Sequence, residues 1–447
     1  MPTHCGAVTS PCRSIAAAAR PHWAVGPRVI ALSALLVASA ASRAEADPGH
    51  DFAGEAKLLY SVVACGSEQA ASASHSRPGR PVKASIVEAH CREQKRRIDA
   101  FRRKYVAGSH KFFAKLRRVH LRRIALPERV LYPFGGGDLL SALVTYPDAA
   151  EYTTISLEHA GDPRRLGVVD SPTLEQSLAL FREVGKLFVL NHDHRSDNLR
   201  KLEKGAIPGQ LAFFLMALAI CDYEPVALKY FRVKPDGSLH YYSAQEIEQL
   251  AGTLANKKAE GWVDTDHSVV FSNMELVFRK RGQAGAPLRI HRHIAANLDN
   301  NHFSDSPLLA HLEKKGPVAA MTKAASYLLW NRKFSAIRNY LLGNMVFMIS
   351  DSTGIPPRFT IPAGYMQFTY GAFEGALLEW PRKMSHNDEF VALWQSQPER
   401  KLRFRYGYVD LANNYHLLVT TPSRWLIRKR SLPRPPRPKQ PAEKKTR

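Results

Sequence analysis

Acidic residues are few in this chain against basic ones, and cysteines are few outright. Its 447 residues carry 40 Asp and Glu against 63 Lys and Arg, a formal charge of +23, and five cysteines. So few cysteines exclude a small disulfide-built scaffold. Beyond one N-terminal stretch there is no long apolar run, which excludes a multi-span helical membrane protein. The usual nucleophile markers are also missing, since neither G-x-S-x-G nor S-x-x-K occurs. No zinc-finger or RNP signature accompanies the positive charge, so nucleic acid is not the expected partner. What is present is an ordinary globular composition, 45% hydrophobic and 23% charged, able to bury a sizeable core.

The one apolar run, Val29 to Ala41, follows Arg13, Arg20 and Arg28 and precedes Ala44-Glu45-Ala46. It is shorter than the roughly 20 residues that span a bilayer, and a small-x-small site follows it, so residues 1–46 read as a secretory signal. The long basic lead-in leaves room for a start nearer Val25 or Val29. The expected organisation is then a leader over 1–46, a globular region over 47–425 in one large or two intimately packed domains, and a tail over 426–447. Export places the protein in the periplasm or outside the cell, with no membrane span once the leader is removed. The tail, RKRSLPRPPRPKQPAEKKTR, combines proline with like charges and is expected to stay extended and disordered.

Cys5 and Cys12 belong to the leader. Of the remaining three, Cys65 and Cys91 flank a polar stretch that reads as a loop, and an oxidising compartment predicts a disulfide between them. Cys221 sits in the apolar run LAFFLMALAICDY and reads as a buried free thiol.

From Arg92 to Arg123, Ile98, Phe101, Tyr105, Phe112, Phe113 and Leu116 recur at helical spacing among many Lys and Arg. Two accounts fit: amphipathic helices with a solvated basic face, or contact of that face and the tail with an anionic envelope surface such as lipid or polysaccharide. Further on, Ser171-Pro172 opens a helix to about Leu190, and an apolar helix follows Pro208. PVALKYFRV and LHYYS around Pro235 to Ser238 read as a hairpin, and Ser243 with Glu246 as a capping box. Strands are expected in HSVVFSNMELVFRK, LRIHRHIAANL, LRFRYGYV and NYHLLVTT, with helix from Pro307 to Phe347. Strands grouped together rather than alternating with helices imply an α+β fold with a mainly antiparallel sheet.

The stretch YPFGGGDLL invites comparison with a phosphate loop. A Walker loop needs Lys and then Ser or Thr after its last glycine, whereas Asp138 stands here and would repel phosphate. G-x-G-x-x-G has no match either. The glycines therefore predict a sharp turn with Asp138 capping the helix that follows, or a ligand-facing loop with Asp138 exposed.

YPFGGGDLL, the aromatic strand after it, L-E-x-x-G at Leu157, and KAASYLLWNRKFSAIRNYLLGNMVFMISDSTGIPPRF resemble a family of exported bacterial proteins of unknown function. Its motifs are of the types Y-P-F-x-G-x-D, K-A-A-S-Y-L and D-D-S-G-I-P. The likeness spans about Ala64 to Thr421 and implies export but no activity. Gly136 and Gly137 depart from a more usual Gly-Pro, and Ser350 stands where the first Asp of the turn is typical.

Asp138, Glu158 and Asp351 are the acids inside these motifs and, with Arg358 as a pairing cation, are the candidate catalytic residues, because paired carboxylates serve as acid and base when their environments separate their pKa values. For Asp351 a turn-forming role is the simpler one. His192 and His194 in NHDHRSD, and His291 and His293 in LRIHRHIAANL, are the histidine pairs; zinc wants three or four converging ligands and no established zinc spacing occurs, so neither a metal site nor a cofactor is assigned. Two classes remain: an exported, non-catalytic binding protein of the envelope, and an exported hydrolase or metal-dependent enzyme built around Gly135 to Asp138.

Overall fold

A computed structural model describes residues 49–67, 84–121, 124–191, 207–255, 267–323, 325–351, 353–373, 387–404, 406, 416–423 and 426. The leader, the segment His192 to Asp197 and the tail beyond Leu426 lie outside the described residues.

Among the described residues ten strands form one sheet. In chain order they are β1 (Arg129–Pro133), β2 (Glu151–Ser156), β3 (Tyr223–Val233), β4 (Leu239–Tyr241), β7 (Asn273–Lys280), β8 (Arg289–Ala295), β9 (Val318–Thr322), β10 (Met345–Ser350), β11 (Tyr365–Gly371) and β12 (His416–Pro422). Two short strands, β5 (Leu254–Ala255) and β6 (His267–Ser268), pair with each other. Across the sheet the order is β11-β12-β10-β9-β1-β2-β8-β7-β3-β4. Five of its nine ladders are antiparallel, so the fold is α+β with a mostly antiparallel sheet. The four parallel ladders all fall in the centre and join β10, β9, β1, β2 and β8. The winding runs outward from β1 through β2 to β8, then returns to the other side of β1 for β9 and β10.

That parallel centre is where sequence reading and structure part. Pro307 to Phe347 reads as helix throughout, yet β9 (VAAMT) and the first half of β10 (MVFMIS) are strands. Both are covered on two faces, so their side chains are apolar without alternation, and a short run of that kind looks the same as buried helix. Leu402 to Phe404, expected in a strand, has none.

Helices cover both faces. On one lie α1 (Ala53–Val62), α2 (Ala84–Phe101), α3 (Ala107–His120), α4 (Leu139–Thr145), α5 (Ser171–Asn191) and α6 (Gly209–Ile220), sharing a core with Val130 and Tyr132 of β1 and Ala319 and Met321 of β9. On the other, α8 (Asn300–Phe303), α9 (Pro307–Lys315) and α10 (Ser335–Asn344) pack with Leu131, Val318 and Ala320. Alternate residues of one strand thus feed two cores, as the period of two requires. α7 (Ala244–Leu250) begins at the expected capping box, Ser243 with Glu246. α11 (Pro357–Thr360) and α12 (Asn387–Gln395) follow β10 and β11.

The local signals behave as chemistry dictates. α6 is apolar almost all round and all twelve of its residues are buried. α5 begins at Ser171, but its first free amide, that of Thr173, donates to Asp170 Oδ1 at 2.9 Å, so the capping oxygen comes from the residue before Ser171. Cys65 and Cys91 form the expected disulfide, and Cys221 is a free, buried thiol whose pKa burial pushes up to about 12. None of the described helices is long and apolar enough to cross a membrane.

Candidate functional site

The carboxyl ends of the central strands gather most of the polar residues singled out above. β1 ends in Phe134-Gly135-Gly136-Gly137-Asp138. Phe134 has φ 61, a left-handed conformation that is rare for an aromatic residue, and Gly136 continues it at φ 51. The chain folds back so closely that a Cβ on Gly135 would lie 3.0 Å from the Tyr132 carbonyl oxygen. Asp138 then caps α4, its Oδ1 accepting from the Ser141 amide at 3.0 Å. Leu139, Leu140, Leu143 and Val144 hold that helix in the core, each buried side chain contributing about 1.5–3 kcal/mol.

Asp138 is more than a cap. Its Oδ2 accepts from the Tyr132 hydroxyl at 3.0 Å and lies 3.4 Å from Lys323 Nζ, with both charged side chains only 1% exposed. Lys323 follows the last residue of β9, the neighbour of β1, so a sheet ladder brings the two charges together. Its ammonium also donates to Ser141 Oγ at 2.8 Å and lies 5.1 Å from the Tyr406 ring centre. Asp351 occupies the matching position after β10. It accepts from Ser326 Oγ and from the Thr353 amide, and burial raises its pKa while Lys323 pulls it back. Buried charge without a partner is expensive, and the pairing of Lys323 with Asp138 offsets part of that cost.

β2 ends at Ser156, with Glu158 two residues on. Gln210 Nε2, from the first turn of α6, donates to Glu158 Oε2 at 3.3 Å. The backbone oxygen of Glu158 accepts from His293 Nε2 at 2.8 Å. A carbonyl only accepts, so this nitrogen carries the proton and His293 Nδ1 is bare. Thr154 therefore donates to His293 Nδ1 (3.1 Å) and accepts from His291 Nε2 (2.9 Å). His291 and His293 do share a face of β8, as alternation predicts, and both are fully buried. Burial lowers the pKa of His293 to about 4 and that of His291 well below 6.5, so both rings are neutral. The pair anchors the β2 end rather than gathering ligands for a metal.

Arg358 is committed elsewhere, in an ion pair with Glu389 and 4.8 Å from the Phe359 ring. Among the described residues one cluster of three potential metal ligands occurs, Cys65, His90 and Cys91. Its cysteines are joined to each other, and the His90 nitrogens bond the Val63 carbonyl and the Arg182 guanidinium. Sequence reading missed Lys323, Gln210 and Thr154. The detectable signal was at Lys323, a charge directly after five apolar or small residues, which is how a buried strand reaches its end.

A second feature is a basic ridge. α2, a five-residue π-helical stretch (Arg102–Val106) and α3 run on from one another over residues 84–120, about 55 Å at 1.5 Å per residue. Val87, Ile98, Phe101, Phe113 and Leu116 are buried, while Arg92, Lys95, Arg96, Arg103, Lys111, Lys115 and Arg118 lie on the outer side. The acids Glu93 and Asp99 already pair with Arg97, Arg182 and Arg102. Compared with family models, curated proteins and solved structures, the chain finds no match.

Proposed function

We propose that this chain is an exported, non-catalytic binding protein that meets an anionic envelope surface through the ridge of α2 and α3. The observation that carries the reading is the row of seven cations along the outer side of a helical stretch whose opposite side is locked into the core. A ridge fixed in this way presents its charge on a backbone that is already ordered, and each Lys or Arg brought near an anionic membrane contributes about 1 kcal/mol. The basic tail would add to the same attraction.

The competing reading, a hydrolase or metal-dependent enzyme using Asp138, Glu158 or Asp351, has less support. Asp138 and Asp351 are buried and committed to internal donors. Cosedimentation with phosphatidylglycerol and phosphatidylcholine vesicles tests the binding reading. Retention on the anionic vesicles alone is expected, lost at high salt and weakened at least tenfold in the triple variant R92E/R96E/R103E. Equal binding by that variant would remove the ridge from the account, and deletion of Ser431 to Arg447 measures the share of the tail.

A further inference from the structure

We propose that the carboxyl edge of the parallel strands holds a nucleoside, with Glu158 and Gln210 taking the ribose hydroxyls. The first support is topological. The winding reverses between β1 and β9, and in sheets wound this way ligands bind in the crevice outside the carboxyl ends at the reversal. In such sheets an acid about 20 residues past the turn that follows the first strand holds the ribose. Here the turn is Gly135 to Gly137 and the acid after the second strand is Glu158.

The second support is independent of topology. Gln210 is 1% exposed, and because a carboxylate only accepts, its amide nitrogen must face Glu158. Its Oε1 is thereby turned away and has no hydrogen-bond partner among the described residues. Of the buried hydroxyls in the same condition at the ends of the parallel strands, Ser156 of β2 lies on the Gln210 face of the sheet, whereas Thr322 of β9 and Ser350 of β10 alternate to the other face. Unmet polar atoms of this kind are uncommon in a folded interior. Beside Glu158 the unmet atom is an acceptor next to a carboxylate, so the complementary group is a donor pair, which a vicinal diol supplies. The turn itself disfavours phosphate: Asp138 follows the glycines, and the neighbouring cation, Lys323, is held by Asp138. A nucleoside without phosphate fits these charges better than a nucleotide.

Calorimetric titration of the whole chain with adenosine, guanosine, cytidine and uridine tests this, together with the 2′,3′-dideoxy form and the 5′-monophosphate of whichever binds. At least one ribonucleoside should bind. Its dideoxy form should bind at least tenfold more weakly, as expected when hydrogen bonds to a charged acceptor are lost, and the monophosphate no more tightly. Glu158→Gln should weaken binding to a similar extent with an unchanged circular dichroism spectrum. If that variant does not fold, the dideoxy comparison on the unaltered chain decides the matter. No binding by any of the four at millimolar concentration, or equal binding of the dideoxy form, overturns the proposal. Glucose bound as well as the nucleoside would also overturn it, leaving a general polyol site.

Discussion

Replacing Lys323 by methionine separates a helix cap from a buried ion pair. The ammonium is 3.4 Å from Asp138 Oδ2 and both side chains are 1% exposed. At an effective dielectric of about 20 that separation is worth about 5 kcal/mol of attraction, before the cost of taking both charges from water. Lys323→Met keeps the volume and removes the charge, leaving Asp138 ionised in the interior, and should destabilise the fold by about 3–5 kcal/mol. Asp138→Asn strands the lysine in the same way but keeps the cap on Ser141, because asparagine caps helices as well as aspartate does. The double variant carries neither charge and should recover most of the loss, giving a coupling energy of at least about 2 kcal/mol. Urea unfolding followed by tryptophan fluorescence and far-ultraviolet circular dichroism reads these differences from the midpoints, provided the slope is unchanged. A loss below about 1 kcal/mol for Lys323→Met, or a double variant equal to the sum of the singles, would refute the reasoning and reduce Asp138 to a cap.

Two further outcomes follow from buried groups. The Cys65–Cys91 bond closes a loop of sequence separation 26, which the chain-entropy model values at about 3.5 kcal/mol; melting with and without reductant should show that loss, and an unchanged transition would contradict it. His90, His293 and His416 are 2%, 0% and 6% exposed, and burial holds each pKa near 4 against an unfolded value of 6.5. The unfolded chain therefore binds more protons below pH 6.5, so their stabilisation is complete above that pH and is lost as pH falls toward 4. By pH 5 the loss is about 2 kcal/mol per histidine, and a melting temperature that stays flat between pH 7 and pH 5 would show that the rings are not held neutral.

Several local features are legible in the residues alone. Asp138 as the cap of α4, the capping box at Ser243 and Glu246, the hairpin of β3 and β4, the amphipathic helices of the basic stretch and the Cys65–Cys91 pair all depend on residues close in sequence or on a compartment argument. Those signals are local because caps, turns and periodicity are local. The parallel centre is not legible in that way, since β9 and β10 are apolar on both faces and carry no alternation to distinguish them from helix.

Charge, caps, turns and apolar faces are written in the chain, because each follows from side-chain chemistry within a few residues. It takes the folded sheet to bring Asp138 to Lys323, to set Asp351 within the same field, and to stand Glu158 beside Gln210 at the end of the next strand. Which strand pairs with which is settled by burial of whole faces, and no short stretch of chain encodes it. The glycine turn of YPFGGGDLL is plain in the chain; its position beside the reversal of the winding belongs to the sheet.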